Sequence, residues 1–353
     1  MRIERVEATE VFIPYDAPVG PYAGRRGATQ GATALIVRVE TDANVVGWGE
    51  GHGALDADPM ASLRGRDATD IEGALAAMEE AGMSRGPTSG VEMALWDAVG
   101  KYAGLPLCGL LGGVLREEVD FCGCMGIKEP ARSVATAREY MNRWGFQYIK
   151  TKAGDDPEQD LAIAEAIQRE IGDEAVLRPD ANSGYDIETT ERVLRAMSAL
   201  GIRYFEDPCP SDQVEDLRRF RETIDIRILV NMGVETPDTV LPLLANEAVD
   251  VVMPDFPNAG GILPVRKIAA IAEAYGIPCL MHCSHDLGLK TAAVTHVAAA
   301  TPNFSGPNDT CYHGLSDDIL AEPLTFEGGR VRVPTNPGLG VEVDEAKLAR
   351  YAR

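Results

Sequence analysis

The first 50 residues alternate apolar and polar side chains, which is the pattern of strands that bury one face. The segments IERVEATEVFI and ATALIVRVETD predict two antiparallel strands joined by a glycine-rich loop, and VVGWGEG predicts a third strand. Apolar residues then recur at helical spacing over about residues 68–82 and 88–103, and Gly104 ends the second helix. These elements predict an α+β domain over residues 1–117.

From residue 118, short apolar runs alternate with amphipathic stretches. The runs are VDFCGCMG, FQYIKTKAG, AVLRPDAN, IRYFEDP, IRILVNMG, VDVVMPD and IPCLMHC, with a weaker one near residues 303–309. Eight strand-then-helix units predict parallel strands in a (β/α) barrel over residues 118–318. A doubly wound sheet is less favoured, because no glycine-rich phosphate loop follows the first run. Residues 319–353 return to alternating strands and a short helix, and we expect them to pack back on the N-terminal domain.

The composition narrows the range of partners. The 353 residues include 33 basic and 55 acidic residues, which give a net charge of −22 and argue against nucleic acid or an anionic membrane as a partner. No apolar run approaches the ~18 residues of a membrane span, and the N-terminus lacks the apolar core of a signal peptide. The seven cysteines have no framework spacing, so we expect free thiols in a reducing cytoplasm.

Polar residues stand at the carboxyl ends of the predicted strands, where barrel enzymes place their chemistry. They are Lys150 and Lys152, Asp180 and Asn182, Glu206 and Asp207, Asn231 followed by Glu235, Asp255, and His282 followed by His285. Taken singly, such an aspartate is usually a helix N-cap or turn residue, and two lysines can guard an edge strand. Because these consecutive runs all end in this way, we favour one shared site.

These residue types favour metal-assisted proton transfer. Asp180, Glu206 and a third oxygen ligand can hold a hard cation such as Mg²⁺, and no His/Cys group has zinc spacing. Such a cation binds a substrate carboxylate and stabilises the charge that develops when the α-proton leaves.

The acid/base groups are expected on two sides of the barrel. Alternation along the strand puts Lys150 and Lys152 on one face, so one of them can hold the carboxylate and lower the pKa of the other, which then acts as the base. His282 can act as acid or base from the opposite side, with Asp255 orienting its imidazole.

The motifs together resemble those of the enolase superfamily, most closely its mandelate racemase subgroup, over nearly the whole chain. MALWDAVGKYAGLPLCGLLGG is similar to the family's cap-to-barrel helix, YIKTKAG to its K-x-K strand, RPDANSGY and YFEDPCP to its metal-ligand strands, MPDFPNAGGI with PCLMHC to its Asp–His dyad, and NPGLGVEV to its C-terminal signature. The resemblance implies a (β/α)₇β barrel with an N-terminal α+β capping domain that the C-terminal segment completes. It also implies Mg²⁺-assisted removal of the proton α to the carboxylate of a small molecule, with Lys152 as the base and Lys150 beside it on the carboxylate. A homo-oligomer is a further implication.

Two positions depart from the family pattern. The family usually ends the fifth strand with Gly-Glu, whereas NMGVETPD places the glutamate one residue later. We favour Glu235 as the third metal ligand, with Asn231, or loss of the ligand, as alternatives. The eighth strand often carries a carboxylate that polarises the substrate; here the choice is Asn308, which can donate a neutral hydrogen bond, or Asp309.

Acid/base groups on both faces allow two outcomes. Dehydration of a hydroxy or sugar acid to a 2-keto acid is our first interpretation, and racemisation or epimerisation is the second. Cycloisomerisation is less favoured, because such relatives carry a lysine on the sixth strand, where this chain has Asp255. A catalytically inactive, metal-binding relative is the non-enzyme alternative.

Substrate choice is expected to come from loops of the capping domain. The loop GPYAGRRGATQG offers Tyr22, Arg25 and Arg26, and GHGALDA offers His52. Arginines of this kind can bind a hydroxyl group or a second carboxylate, although they can also be ordinary exposed charges. We expect a polar or diacid substrate, with Asn182 and Asn308 also in the substrate-binding set.

Overall fold

A computed structural model describes residues 1–25 and 27–353. Arg26, one of the two arginines predicted to contact substrate, lies outside the described residues. Among the described helices, none combines the length and apolar character needed to cross a membrane.

The N-terminal part is built on an antiparallel sheet with the strand order β1-β4-β5. Its strands are β1 (Ile3–Pro14), β4 (Gly31–Thr41) and β5 (Val46–Gly51), while β2 (Tyr22–Gly24) and β3 (Gly27–Thr29) form a separate hairpin. The helices are α1 (Pro59–Leu63), α2 (Ile71–Glu80), α3 (Arg85–Ala103) and α4 (Leu107–Leu110). Two glycines of β5 let α3 pack directly on the sheet: a Cβ at Gly47 would lie 2.0 Å from the carbonyl oxygen of Ala94.

A closed barrel of parallel strands follows. Its strands are β6 (Glu118–Met125), β7 (Tyr148–Lys152), β8 (Val176–Asp180), β9 (Tyr204–Glu206), β10 (Arg227–Val230), β11 (Val251–Val252) and β12 (Asn308–Thr310). Its helices are α5 (Pro130–Trp144), α6 (Pro157–Ile171), α7 (Ile187–Ala199), α8 (Val214–Thr223), α9 (Pro237–Ala245), α10 (Phe256–Ala259), α11 (Ile262–Ala274) and α12 (Gly288–Ala300). The helices alternate with the strands, as the hydrophobic pattern predicts.

The seventh barrel position is irregular. Residues 279–282 occupy it, and the Leu280 amide donates to the Val252 carbonyl at 3.1 Å, while the Asp309 amide donates to the Met281 carbonyl at 2.9 Å. Because β12 also pairs with β6, these bonds close the ring. The predicted (β/α)₇β barrel is therefore confirmed, and the doubly wound alternative is wrong.

The observed strands are shorter than the predicted apolar runs. The polar residues that end the runs leave the extended conformation: Asn182 and Asp207 both have a φ of 44°, and Ser183 has a φ of 57°. Asparagine and aspartate tolerate this left-handed region better than most residues. Strands β8 and β9 therefore end at Asp180 and Glu206, and a turn follows each of them.

The C-terminal segment spans both parts of the protein. Strand β13 (Arg330–Arg332) pairs antiparallel with the amino end of β6, and α13 (Glu345–Tyr351) follows. Ala352 forms a bridge with Val11 of β1, and the amide of Arg353 donates to the carbonyl of Glu10 at 3.0 Å. The last residues thus pair with the first strand.

Two glutamates of the N-terminal part bind the amino ends of barrel helices. Glu92, on α3, accepts hydrogen bonds from the amides of Ile262 at 2.8 Å and Leu263 at 2.9 Å. Glu50, on β5, accepts from the amides of Leu287 at 2.7 Å and Lys290 at 2.8 Å. Neither α11 nor α12 is capped by the side chain of its own N-cap residue. The two glutamates satisfy amides that would otherwise lack partners.

Candidate active site

A cavity of about 780 Å³ opens at the carboxyl ends of the barrel strands, and the β2–β3 hairpin forms part of its wall. The hairpin is seated on the barrel, because the Ile127 amide donates to the Ala23 carbonyl at 2.7 Å. The expected site residues in its lining are Tyr22, Arg25, His52, Lys150, Lys152, Asn182, Asn231, Glu235, His282 and His285. Residues more than 200 positions apart in sequence therefore share one space.

Strand register explains why charged side chains converge inside the barrel. Lys150 lies opposite Arg178, and Lys152 lies opposite Asp180, in the pairing of β7 with β8. Asp180 lies opposite Glu206 in the pairing of β8 with β9. Because side chains alternate along each strand, these residues share the inner face. Arg178 was not among the residues predicted from the sequence, although its position two residues before Asp180 predicts the same face.

Lys150 is buried among carboxylates. Its Nζ atom lies 2.6 Å from Oε1 of Glu206, 2.8 Å from Oδ2 of Asp309 and 2.9 Å from Oδ2 of Asp180. Burial alone would lower the pKa of Lys150, but the three carboxylates raise it well above its ordinary value. Arg178 is a second buried cation, paired with Asp309 and 3.2 Å from Oε2 of Glu206 through its Nε atom. Opposite charges thus compensate one another in the barrel interior.

Lys152 lies nearer to the cavity and binds a single carboxylate. Its Nζ atom donates to Oδ2 of Asp180 at 2.5 Å. Asn182 also contacts the Asp180 carboxylate, since its backbone N–H donates to Oδ1 of Asp180 at 2.8 Å. Although burial acts in the opposite direction, Lys150 and Lys152 hold the pKa of Asp180 far below its usual range. Asp180 is therefore an anion between the two lysines.

Three buried carboxylates form a group suited to a hard cation. Oxygen atoms of Asp180, Glu206 and Asp207 lie within 4.8 Å of one another, and this is the one group of potential metal ligands in the described residues made wholly of carboxylates. Mg²⁺ prefers such oxygen donors, so these residues fit the ion. Burial and the charge of Asp180 raise the pKa of Asp207 to about 7, despite hydrogen bonds from the Asn231 and Met232 amides. Asp207 entered the sequence analysis only as a strand-end residue.

The structure does not bring Glu235 into this carboxylate group. Its Oε2 atom lies 2.7 Å from Nη1 of Arg85, and its side chain is 46% exposed at the rim of the cavity. Asn231 is buried in the cavity wall, where its Nδ2 atom donates to the Met253 carbonyl at 2.8 Å. Of the two candidates for a third ligand, Asn231 therefore lies deeper.

His282 and Asp255 are in contact, as the sequence predicts. The Nδ1 atom of His282 lies 3.0 Å from Oδ2 of Asp255, and the Ser284 hydroxyl donates to the same oxygen at 2.6 Å. The other imidazole nitrogen is left for the cavity that His282 lines. The dyad has the arrangement of an acid/base group held by a carboxylate.

Lys290 completes this dyad and was missed from sequence. It lies on α12, is fully buried, and places its Nζ atom 2.5 Å from Oδ1 of Asp255 and 2.6 Å from Oδ1 of Asp286. Against the effect of burial, the charge of Lys290, followed by His282, holds the pKa of Asp255 well below its usual range. A lone lysine in the apolar stretch LGLKTAAVTHVAAA was the available signal.

Two further histidines lie in the cavity wall. The Nδ1 atom of His285 lies 2.8 Å from the hydroxyl of Tyr15, and its ring meets that of Tyr22 edge-on at 4.7 Å. The Nε2 atom of His52 is buried with no hydrogen-bond partner among the described residues. Burial lowers the pKa of both histidines to about 4, so both are neutral near pH 7.

The side chains of Asn308 and Asp309, the two candidates on the eighth strand, point in different directions. Oδ1 of Asn308 accepts from the Met281 amide at 2.8 Å, and Asn308 is not among the described residues that line the cavity. Asp309 faces the barrel interior, bound to Lys150 and Arg178. The structure thus does not bring Asn308 to the cavity, where the sequence analysis placed it as a substrate-binding residue.

Two family models cover most of the chain. Residues 8–112 match the mandelate racemase / muconate lactonizing enzyme N-terminal domain, and residues 132–347 match a domain described as enolase C-terminal domain-like. The chain belongs to the enolase superfamily, in its mandelate racemase subgroup. The resemblance inferred from the sequence motifs is confirmed.

Several curated members of the enolase superfamily match over most of their length. A "probable glucarate dehydratase" of Streptomyces coelicolor is 31% identical over 93% of this chain and 87% of its own. The L-Ala-D/L-Glu epimerase of Bacillus subtilis is 29% identical over 97% of both chains. A chloromuconate cycloisomerase of Cupriavidus pinatubonensis is 28% identical over the full length of both. These names cover a lyase and two kinds of isomerase.

Solved structures agree with this assignment. The muconate lactonizing enzyme of Pseudomonas fluorescens, in complex with muconolactone, superposes with a TM-score of 0.92 at 27% identity, over 100% of this chain and 99% of its own. An enolase-superfamily protein of Streptomyces coelicolor superposes with a TM-score of 0.88 at 32% identity, over 99% and 96% of the two chains.

Proposed function

We propose that this protein is a Mg²⁺-dependent enzyme that removes the proton α to a carboxylate and then eliminates water from a hydroxy or sugar acid to give a 2-keto acid. One observation carries the proposal: Lys152 and His282, from strands at different positions of the barrel, line the same cavity and each bind a carboxylate. Two acid/base groups therefore reach one substrate space from different sides.

Asp180 and Glu206 are the proposed metal ligands, with a third oxygen from the end of β10 rather than from Asp207, because the Asp207 carboxylate already accepts hydrogen bonds from the amides of Asn231 and Met232. Asn231 is favoured for that place over Glu235, because Glu235 is half-exposed and ion-paired with Arg85. Bound Mg²⁺ would supply positive charge that offsets the charge developing on the substrate carboxylate.

The protein side chains divide the proton transfers between them. Lys152 takes the α-proton, and Lys150 holds a substrate carboxylate oxygen. His282 gives a proton to the hydroxyl group on the β-carbon as the carbon–oxygen bond breaks, so water leaves, and the resulting enol rearranges to the 2-keto acid. Asp255 orients His282 and stabilises its protonated form.

A polar acid with several hydroxyl groups, or a diacid, is the proposed substrate class. Tyr22, Arg25 and Asn182 line the cavity and offer a hydroxyl, a guanidinium and an amide. Arg25 is held near Asn182, since its Nη2 atom donates to the Asn182 carbonyl at 3.3 Å. The glucarate dehydratase among the relatives is named for such a diacid.

Epimerisation is the second candidate. Acid/base groups on two sides of a substrate can remove a proton from one face and return it to the other, and an epimerase is among the full-length relatives. A substrate without a leaving group on its β-carbon would follow this route. Self-association and a cytoplasmic location stay predictions.

A screen in D₂O with Mg²⁺ and a library of hydroxy, sugar and amino acids tests the proposal. Release of a 2-keto acid supports dehydration, whereas deuterium uptake with inversion supports epimerisation. The double variant Lys152→Ala/His282→Asn, which lacks both acid/base groups, is the control for background exchange. If no acid in the library exchanged its α-proton, the protein would be the inactive relative and the proposal would be wrong.

A further inference from the structure

Three free cysteines lie in the wall of the catalytic cavity, and the proposed reaction uses none of them. Cys124 is on β6, Cys311 directly follows β12, and Cys283 directly follows the irregular segment 279–282. These are the first, eighth and seventh positions of the closed barrel, so the three residues come from adjacent chain segments.

Backbone pairing places Cys311 level with Cys124 and one residue beyond the level of Cys283. Thr310 lies opposite Gly123, so the next residues along, Cys311 and Cys124, face each other. The Asp309 amide bonds to the Met281 carbonyl, which sets Asn308 opposite Met281, so Cys283 lies at the level of Thr310, the residue before Cys311. All three cysteines line the same cavity, with Cys311 on the middle segment.

This placement satisfies the geometry of a disulfide. Neighbouring strands lie about 4.8 Å apart and rise about 3.3 Å per residue, so the one-residue offset between Cys283 and Cys311 corresponds to a Cα separation of roughly 6 Å, within the range of about 4.4–6.8 Å that disulfides span. Cys124 and Cys311 are buried, each with 2% exposure, whereas Cys283 is partly exposed. A small oxidant that enters the cavity therefore meets Cys283 first.

We propose that Cys283 and Cys311 form a redox-sensitive pair that a hydroperoxide converts to a reversible disulfide inside the catalytic cavity. The sulfur of Cys283 attacks hydrogen peroxide, the O–O bond breaks, and the products are a sulfenic acid and water. The sulfur of Cys311 then attacks the sulfur of Cys283, the S–O bond breaks, the S–S bond forms, and a second water leaves with the proton of Cys311. A dithiol reverses the step by thiol–disulfide exchange.

The disulfide would affect activity because Cys283 lies next to the acid/base residue His282. Cys283 follows His282 in the chain, so a bond from Cys283 to Cys311 fixes the backbone beside the acid/base group. We expect oxidation to abolish at least nine-tenths of the activity, and dithiothreitol to restore it.

The first experiment treats the reduced full-length protein with hydrogen peroxide and maps its disulfides by mass spectrometry of non-reduced peptides. A cross-link between the peptides of Cys283 and Cys311, lost after dithiothreitol, supports the proposal. A cross-link of Cys124 to Cys311, or no cross-link while Cys283 is oxidised, overturns it. This readout needs no substrate, so its failure is distinguishable from failure of the proposed reaction.

Matched variants assign the two roles. In Cys311→Ser, the sulfenic acid on Cys283 should persist and be trapped by dimedone, whereas in Cys283→Ser neither product should form. Cys108→Ser removes another buried thiol, one that lies outside the cavity lining, and should cross-link like the parent protein. Circular dichroism checks that each variant is folded. A dimedone adduct in Cys283→Ser at the yield found in Cys311→Ser would contradict the assignment.

Discussion

The ammonium group of Lys290 lies 2.5 Å from Oδ1 of Asp255, while His282 binds the other oxygen of the same carboxylate at 3.0 Å. Lys290 therefore joins the dyad as a third member, and Asp286 binds the same ammonium group at 2.6 Å. The fixed cation keeps Asp255 ionised and turned toward His282.

Replacing Lys290 by methionine should destabilise the protein strongly. The substitution leaves Asp255 and Asp286 buried without their cation, and breaking a buried pair in this way costs about 3–5 kcal/mol. Urea unfolding at pH 7 measures the change in the free energy of unfolding. Lys267→Met is the matched control, because Lys267 and Glu72 form an exposed pair worth at most about 1 kcal/mol. Equal losses in the two variants would contradict this account of Lys290.

Removing either acid/base group should stop turnover. We expect Lys152→Ala and His282→Asn each to lower kcat by at least ~10²-fold, the usual contribution of a positioned acid or base. Each variant retains the other group, so proton exchange in D₂O should survive for acids whose α-proton faces the remaining group. Near-parental turnover in either variant would refute the two-group model.

Metal binding should separate the candidate ligands. Titration of Mg²⁺ into chelator-treated protein, followed by calorimetry, should show no binding to Asp180→Asn and at least tenfold weaker binding to Asn231→Ala. Glu235→Gln should bind like the parent protein, because Glu235 is held by Arg85 at the rim. The reverse order for Asn231 and Glu235 would restore the glutamate as the third ligand.

His296 should make the fold sensitive to acid. It is buried on α12, its Nε2–H donates to the Leu339 carbonyl at 3.0 Å, and its Nδ1 accepts from the Cys108 amide at 3.3 Å. A proton added to Nδ1 of His296 would point at the N–H group of Cys108, which is itself a donor. Burial lowers the pKa of His296 from 6.5 to about 4.

The pKa of His296 is depressed in the folded state, so its contribution is complete above pH 6.5 and is lost as the pH falls toward 4. The loss amounts to on the order of 3 kcal/mol. Unfolding free energies of the parent protein and His296→Gln, measured from pH 7 to pH 4.5, should differ in slope across this window. Parallel curves would show that His296 does not titrate on unfolding.

The catalytic candidates were predictable because local patterns determine their place. Alternation along YIKTKAG puts Lys150 and Lys152 on one face, and the ends of apolar runs locate Asp180, Asp255 and His282. The barrel and the subgroup followed from the order of these motifs.

Long-range partners were not predictable in the same way. Lys290 meets Asp255 from a helix 35 positions later in the chain, and Glu92 meets Ile262 across 170 positions. No local periodicity encodes such pairs. The position of Glu235 was not predictable either, because Glu235 forms an ion pair with Arg85, an exposed residue of α3 that is distant in the sequence.

Glu92 and Glu50, which bind the amino ends of α11 and α12, make the barrel dependent on the N-terminal part of the protein. An excised barrel would leave the first amides of both helices without Glu92 and Glu50, and would lose the strand that receives its own C-terminus. Swapping the N-terminal part with that of a relative therefore transplants structural supports as well as substrate contacts. Only a donor that supplies carboxylates at the positions of Glu50 and Glu92 should yield a stable chimera.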